Sequence, residues 1–519
     1  RIIYRYAPGR FGSGQNGVGF YGLQDGQTIG PDTRLQIHCI PKDLQRIEIS
    51  FGDHAFPSWQ RSLHSGNTFV RTAKVKGLEQ EIPPGTYPLT AIATYKDGTK
   101  HQSTISLKYD PNFDDTEDIP EVRGAIHFLA EGRTGEQTLL AEDGKRGSRS
   151  LQIQEGEHNL KAGTMVRIIA PSTERWNQQV KNACSWGHYR YYLVRITKVD
   201  GNNLTLEQPL RIDFPVVDGS FVERMAPLSN CSAEGFSIEQ TENLWITTIL
   251  FSTAINSWVD DIHVKMCGRH PVYFHESKFC EIRNSVFDDG WFKGGGGTAY
   301  VGWEKCSDCL IDNVTTYKMR HAPLFQWGAA GNVIRNSTFV DSDAQWHSGW
   351  TNENLMEQCT ITSVKGNGGY GYGMWASPPE DGSHGPNGPR NVVYNCKVTS
   401  PLSSLWLGGM SENWLILHNL FIADQGPSVF VKDHSFDHII KGNTFQLKDT
   451  ESPCIMLKTP DCSGVEISDN TFTGGNGILV EGLAPPLVNQ DNTITTEALP
   501  SKAPAIPSIY TWQREHLAK

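Results

Sequence analysis

The sequence predicts an all-β chain in which a small β-sandwich precedes a right-handed parallel β-helix, and three observations support this. A phrase of the form apolar-x-Asn-x-x-apolar recurs, as Ile282-Arg283-Asn284-Ser285-Val286-Phe287, Ile334-Arg335-Asn336-Ser337-Thr338-Phe339 and Val393-Tyr394-Asn395-Cys396-Lys397-Val398. Weaker copies end at Val264, Thr316, Ile361, Phe421, Phe445 and Phe472, so successive ends lie 23, 29, 23, 22, 37, 23, 24 and 27 residues apart. Short strands and Asn/Gly turns at this period fit a coil that buries its face only against its neighbours. The composition agrees: 38% apolar residues with 51 Gly and 14 Trp in 519 residues is too little Leu and Ala for helical apolar stripes. Leucine-rich repeats share the period, but their Leu-x-x-Leu-x-Leu phrase is absent, and a propeller blade needs about forty residues. Right-handed winding follows from the rule for parallel crossovers.

Taken in order, residues 1–109 read as short strands joined by turns. Leu89, Ile92 and Tyr95 lead into Lys96-Asp97-Gly98, and Ile105, Leu107 and Tyr109 follow. Asp-Gly between alternating β-formers is a strong hairpin signal. Residues 110–120 are acidic and Pro-flanked, as linkers are. Residues 121–230 form a β-rich lead-in to the helix. Met165 to Ile169 is a strand there, and a hairpin runs from Leu193 to Val199 and back through Leu204 to Leu206. The repeats occupy 231–495, and 496–519 is a C-terminal tail.

Stacking fixes the register. Asn284, Asn313, Asn336 and Asn395 fall on one equivalent position, and Asn419, Asn443 and Asn470 on the next, where amides of successive coils can hydrogen-bond. Cys280 aligns with Cys309, and Cys359 with Cys396. Stacked buried thiols account for most of the eleven Cys better than a disulfide framework or a Cys306/Cys309 metal site.

With 46 Lys and Arg against 57 Asp and Glu, the net charge of −11 argues against nucleic acid or an anionic membrane as a general partner. No apolar run approaches the roughly 18 residues of a membrane span. Arg1 in place of Met, with no apolar leader, fits a processed chain that is secreted, periplasmic or on the cell surface. Oligomeric state is left open.

The chemistry should sit where several coils depart from plain packing. After each phrase comes a second strand, and in adjacent coils these stretches run from Asp288 to Lys293, Lys318 to Trp327 and Asp341 to Trp350. The coils after them offer Tyr372-Gly373-Met374-Trp375 and Leu405-Trp406, whereas Val429-Phe430-Val431 and Ile478-Leu479-Val480 read as plain packing. Coils rise about 4.8 Å each, so five of them make a groove of oligosaccharide length. The 37-residue interval supplies Gly366-Asn367-Gly368-Gly369-Tyr370 and a loop from Pro378 to Arg390 to wall it. Trp291, Gln326, Trp346, Trp350, Glu353, Trp375 and Trp406 are the expected contacts to a polysaccharide or oligosaccharide. Lys293, Arg320, His321, His347, Asp289 and Asp343 are the expected catalytic groups.

The coil phrase and the Asn ladders resemble the pectate-lyase-like β-helix enzymes, a superfamily of polysaccharide lyases and glycoside hydrolases. Pro83-Pro84-Gly85-Thr86-Tyr87 before the hairpin resembles the immunoglobulin-like modules attached to many secreted carbohydrate-active enzymes. Locally, Lys293 with Arg320-His321 on the next coil is similar to the Lys and Arg-His of β-helix alginate lyases and chondroitinase B. That resemblance implies cleavage of a uronate polymer by β-elimination. Lys293 or His347 would be base, Arg320 would neutralise the carboxylate, and His321 would be donor or acid. The calcium-holding carboxylate strand of that family is replaced by Gly290-Trp291-Phe292-Lys293, so no cofactor is required and calcium has no ligand motif.

Two other readings stay open. A glycoside hydrolase would pair carboxylates among Asp288, Asp289, Asp341, Asp343 and Glu353. The Gly-His-Gly and Arg-x-Lys elements of polygalacturonase-like hydrolases are missing. An adhesin or tailspike-like β-helix that only binds glycans predicts aromatics without converging acid and base groups.

Overall fold

The computed structural model describes residues 2–4, 17–21, 23, 25–31, 33–39, 43–57, 59–60, 69–78, 80–113, 124–181, 190–241, 246–294, 297–376, 384, 386–498 and 500–517. Most of the acidic segment (114–120) and of the long loop (378–383 and 385) lies outside the described residues.

The phrase Ile-x-Asn-x-x-Phe works by geometry. The first apolar residue of each copy points inward, Asn turns the chain, and the last apolar residue points inward again. The turn is left-handed, with φ +48° at Asn284, +56° at Asn313, +47° at Asn336 and +55° at Asn395, a conformation Asn tolerates better than other L-residues. Each coil therefore places two short strands on a back sheet, such as Glu281–Arg283 and Val286–Gly290. Successive coils stack these in parallel. Val264, Phe287, Thr316, Phe339, Ile361, Val398, Phe421, Phe445, Phe472 and Ile494 form one unbroken register, so every expected repeat end lies where the spacing put it.

The helix has about eleven turns. Its front sheet has twelve strands. Ile2–Tyr4 pairs antiparallel with Gly124–Leu129, and parallel strands follow from Thr247–Ser252 to Val480–Gly482. Inside, one core links all coils through Phe251, Phe274, Trp303, Phe325, Trp346, Trp414 and Phe421, each 0% exposed. Polar ladders hold the corners. Asn419 Nδ2 donates to Asn443 Oδ1, Asn443 to Asn470 and Asn470 to Asn492, each at 3.0 Å. A further ladder, Asn332 to Asn354 to Asn391, stands at another corner. Cys280 N–H donates to Cys309 Sγ, and the ten described cysteines are free thiols.

The described residues between 18 and 109 form two sheets, antiparallel except where Thr28–Ile29 runs parallel to Lys108–Tyr109, over one core of Leu35, Ile37, Ile47, Phe51, Leu89 and Tyr95. The expected hairpin is Gly85–Tyr95 with Lys100–Tyr109, turning at Gly98 with φ +83°. Residues 132–226 form a six-stranded antiparallel sheet with its own core around Val166, Ile168, Tyr192 and Val194. It docks on the coils through ion pairs to Glu276 and Asp308. Arg133 and Arg167 meet Glu276, Arg211 and Lys278 meet Asp308, and Lys278 also lies 4.8 Å over the Tyr192 ring. The tail runs back along the back sheet and ends in a helix, Ile509–His516. Glu357 receives the backbone N–H of Ile509 at 2.8 Å and the Ser508 hydroxyl, capping the helix N-terminus.

Candidate functional site

Front strands alternate inward and outward. Ala344 and Trp346, Met374 and Ala376, Leu405 and Leu407 enter the core. The residues between them point outward in one row: Leu324, Gln345, Trp375, Trp406, Phe430 and Met456. A second outward row holds Tyr300, His321 and Asp343.

Around that second row polar groups interlock. His321 Nδ1 lies 2.6 Å from Asp343 Oδ1. Tyr300 Oη accepts from Arg320 at 3.0 Å and lies 3.2 Å from His347 Nε2. His347 Nδ1 lies 2.8 Å from Gln326 Oε1, while Gln326 Nε2 donates to Glu304. The Glu304 carboxylate accepts, so the Gln326 amide turns its oxygen to His347. That oxygen takes the proton on Nδ1 and leaves Nε2 as an acceptor for Tyr300. His384 Nε2 lies 3.1 Å from the same nitrogen.

Burial sets the charges. It pushes the Asp343 carboxyl up to about 8 against the opposing pull of Arg320, and it holds His321 well below its usual value. The pair therefore shares one proton and is neutral at pH 7. Burial, then the neighbouring His321, His384 and Arg320, likewise keep His347 uncharged, and burial raises Tyr300 to about 12. Asp343 Oδ2 is buried with no partner among the described residues. Arg320 forms no ion pair among them.

The hairpin Lys365–Gly366 and Gly369–Tyr370 reaches back over this cluster. Asn367 accepts from Lys293 at 3.2 Å, and the Gly368 carbonyl accepts from Arg320 at 3.4 Å. Gly368 has φ +81°, and a Cβ there would lie 2.2 Å from the Lys293 carbonyl, so only glycine fits.

Beside the cluster runs an aromatic ladder. Trp375 and Trp406 lie 5.8 Å apart, Phe430 follows at 5.6 Å, and Tyr370 and Tyr372 pack edge-on at 5.1 Å from Trp375 and 4.3 Å from Trp406. The indole N–H groups of Trp375 and Trp406 have no partner among the described residues.

The structure thus brings together Arg320, His321, His347 and Asp343, with Lys293 and Asp289 alongside, and it corrects several expectations. Lys293 donates to Asp289 at 2.5 Å, so it presents no lone pair as a base. Although partial burial favours the neutral form of Asp289, Lys293 and the Gly290 N–H hold this carboxyl below the usual range. Trp346 is inside the core, 4.7 Å from Trp414, and cannot meet a substrate. Trp350 packs edge-on against Trp176 at 4.9 Å, joining the antiparallel sheet domain to the coils. Glu353 pairs with Arg146, Arg211 and Arg390. Gln326 is 4% exposed and holds His347. Trp291 is tied through its N–H to the Gln240 carbonyl at 2.7 Å. Phe430, read as packing, points outward. Tyr300, Glu304 and His384 were missed. Strand alternation about Trp303 would have exposed Tyr300, had the Gly run before it not hidden the strand start. Among the described residues no group of three or more His, Cys, Asp or Glu is placed to hold a metal ion.

Residues 272–448 match the family model described as a right-handed β-helix region, in agreement with the handedness expected for the coil. Among solved structures, the chain is similar to the tailspike protein gp49 from Pseudomonas phage LKA1. Identity is 14% and the TM-score 0.45, over 72% of this chain and 62% of that one. It is also similar to the Gp54 tailspike of Acinetobacter baumannii bacteriophage AP22 in complex with a capsular saccharide. There identity is 12% and the TM-score 0.34, over 70% and 53%. The catalytic domain of a GH87 α-1,3-glucanase in complex with nigerose matches at 9% identity and TM-score 0.26, over 71% and 96%. The chain spans less than two thirds of either tailspike's length. No curated protein matches the sequence.

Proposed function

We propose that the chain is a polysaccharide-degrading enzyme that cleaves a uronate-containing glycan by β-elimination at the Tyr300, Arg320 and His347 cluster. The observation that supports this most is the Arg320 guanidinium, which forms no ion pair among the described residues and donates to a protonated Tyr300 whose hydroxyl meets the unprotonated Nε2 of His347. Elimination removes the C5 proton, breaks the bond from C4 to the leaving oxygen and forms a C4–C5 double bond. Arg320 would receive the uronate carboxylate, whose charge grows toward an enolate in the transition state. His347 Nε2 would take the proton, and Tyr300 would give its own to the departing oxygen. The proton on His347 then returns to Tyr300 along their hydrogen bond, restoring both. Protonated Asp343 adds no negative charge near the incoming carboxylate. The ladder of Trp375, Trp406 and Phe430 would carry neighbouring sugars on its exposed ring surface. The N-terminal two-sheet domain is read as an immunoglobulin-like spacer, and the enzyme as secreted or surface-held.

A second reading, glycoside hydrolysis, draws on Asp343, whose raised pKa suits a general acid. Its other carboxylate, Asp289, is engaged by Lys293. Incubation with polyuronates and neutral glucans, recording near-ultraviolet absorbance of the unsaturated product beside reducing ends, separates the readings. Elimination expects both signals on a polyuronate. Reducing ends alone favour hydrolysis, and binding with neither signal leaves a glycan-binding protein.

A further inference from the structure

The outward-facing positions of the front sheet divide sharply. Up to the coil of Asp343–Trp346 they are closed: Leu250 is 0% exposed, Tyr273 3%, Leu324 1% and Gln345 1%. From the next coil on they are open: Trp375, Trp406, Phe430 and Met456 are all partly exposed. The closed side is walled by rings in continuous contact. Tyr273 lies 4.8 Å from His270, His270 5.3 Å from Tyr300, Tyr300 5.0 Å from His321, His321 5.3 Å from His347, and His347 4.5 Å from His384. Arg269 lies over Tyr273 at 5.8 Å and donates to the Gly297 carbonyl, closing the same side further. The reactive groups Tyr300, His347 and Arg320 belong to the end of this wall. The ladder begins one coil beyond it and continues away, each ring about 4.8 Å further along the axis.

We infer that the chain takes its polysaccharide by the end: sugars lie on the ladder only on the C-terminal side of the cluster, and the terminal residue abuts the ring wall. This rests on the reading of the cluster and ladder as a glycan site and adds its polarity. A groove open at both ends would let a chain lie across the cluster and be cut internally. Here the face that would carry sugars beyond the cluster is occupied by buried Tyr273 and Leu250. The chemistry then releases short products of fixed length.

The test uses the whole chain and has two arms. On whichever polyuronate is cleaved, product size and solution viscosity are followed together. End-on action expects a single short product from the earliest times while viscosity falls slowly. A spread of intermediate oligomers with early collapse of viscosity overturns the inference. The second arm reads binding apart from turnover: Tyr300→Phe, which keeps the ring and therefore the wall, is titrated, by tryptophan emission, with polygalacturonate and with its trimer, using the additional Trp406→Ala change as a signal control. End recognition expects half-saturation at the same molar concentration of chain ends for both ligands. Half-saturation at the same concentration of sugar residues overturns it, while leaving the site reading intact. If neither ligand binds nor is cleaved, the glycan reading fails and the inference falls with it.

Discussion

Tyr300→Phe removes one oxygen and leaves the ring. The ring is 2% exposed and keeps its contacts to His270, His321 and His347, so the wall stands. Lost are the bond to His347 and the bond from Arg320. A neutral hydrogen bond contributes about 1 kcal/mol and a charged one about 1.5–3 kcal/mol, and partly exposed Arg320 recovers much of its share from water. The folded state should therefore weaken by about 1–2 kcal/mol. The effect on rate is of a different size. Losing a positioned acid costs roughly 100- to 10,000-fold, or about 2.7–5.5 kcal/mol of barrier. The expected outcome is a fall in kcat of at least ~100-fold with KM little changed, because the phenol acts in the transition state rather than in binding. Initial rates of double-bond formation on the preferred polyuronate, alongside a thermal scan of the same sample, measure both. A folded Tyr300→Phe protein keeping more than about a third of wild-type kcat would refute the role of Tyr300 as acid.

Other consequences follow from the same geometry. Because the folded Asp343 carboxyl titrates near 8, well above the ordinary carboxylate range, the native state holds a proton the unfolded chain has released. Stability should thus fall as pH rises from about 4 to about 8, and Asp343→Asn should flatten that slope in thermal midpoints taken across the window. Ionised Asp343 would also offset Arg320, so activity on uronates should decline above about pH 8 in the wild type but not in Asp343→Asn, as a pH–rate profile would reveal. Trp406→Ala should weaken oligosaccharide binding about tenfold with the fold unchanged, by calorimetry, from the loss of roughly 1.4 kcal/mol of ring burial. Asn443→Ala breaks four buried hydrogen bonds, two made by its own amide and two accepted from Asn419. It should cost about 3 kcal/mol, read as a lower urea midpoint.

The fold was legible because its signal is local and repeated. Each Asn at a left-handed turn and each apolar pair around it could be read without knowing any distant contact, and all the expected repeat ends stack in register. The site was legible only in part. The stretch from Asp341 to Trp350 is bounded by left-handed residues, with φ +56° at Asp341 and +40° at Trp350. These reset the alternation, so the sequence alone did not show that Gln345 faces out while Trp346 faces in. Trp content consequently overstated the groove: Trp303, Trp346 and Trp414 are core. Glu353 resembled a groove carboxylate because its three arginines come from residues 146, 211 and 390, far apart in sequence. Lys293 differs from a catalytic Lys only through Asp289 four residues before it, a pairing that spacing permits and structure decides.

The C-terminal segment changes how the solenoid should come apart. A stack of coils touches only nearest neighbours, so its terminal turns ordinarily fray one at a time. Here the carbonyls of Pro500, Pro504, Ile506 and Pro507 accept from Gln446, Asn395, Gln358 and Tyr394, and Tyr510 lies 5.1 Å from Arg335. The chain end is thereby clipped to a point several coils upstream, closing a linear array into a loop. Losing the last turn means releasing the clip, so the coils from Arg335 to Ile494 should melt as one cooperative block instead of unravelling from the tip.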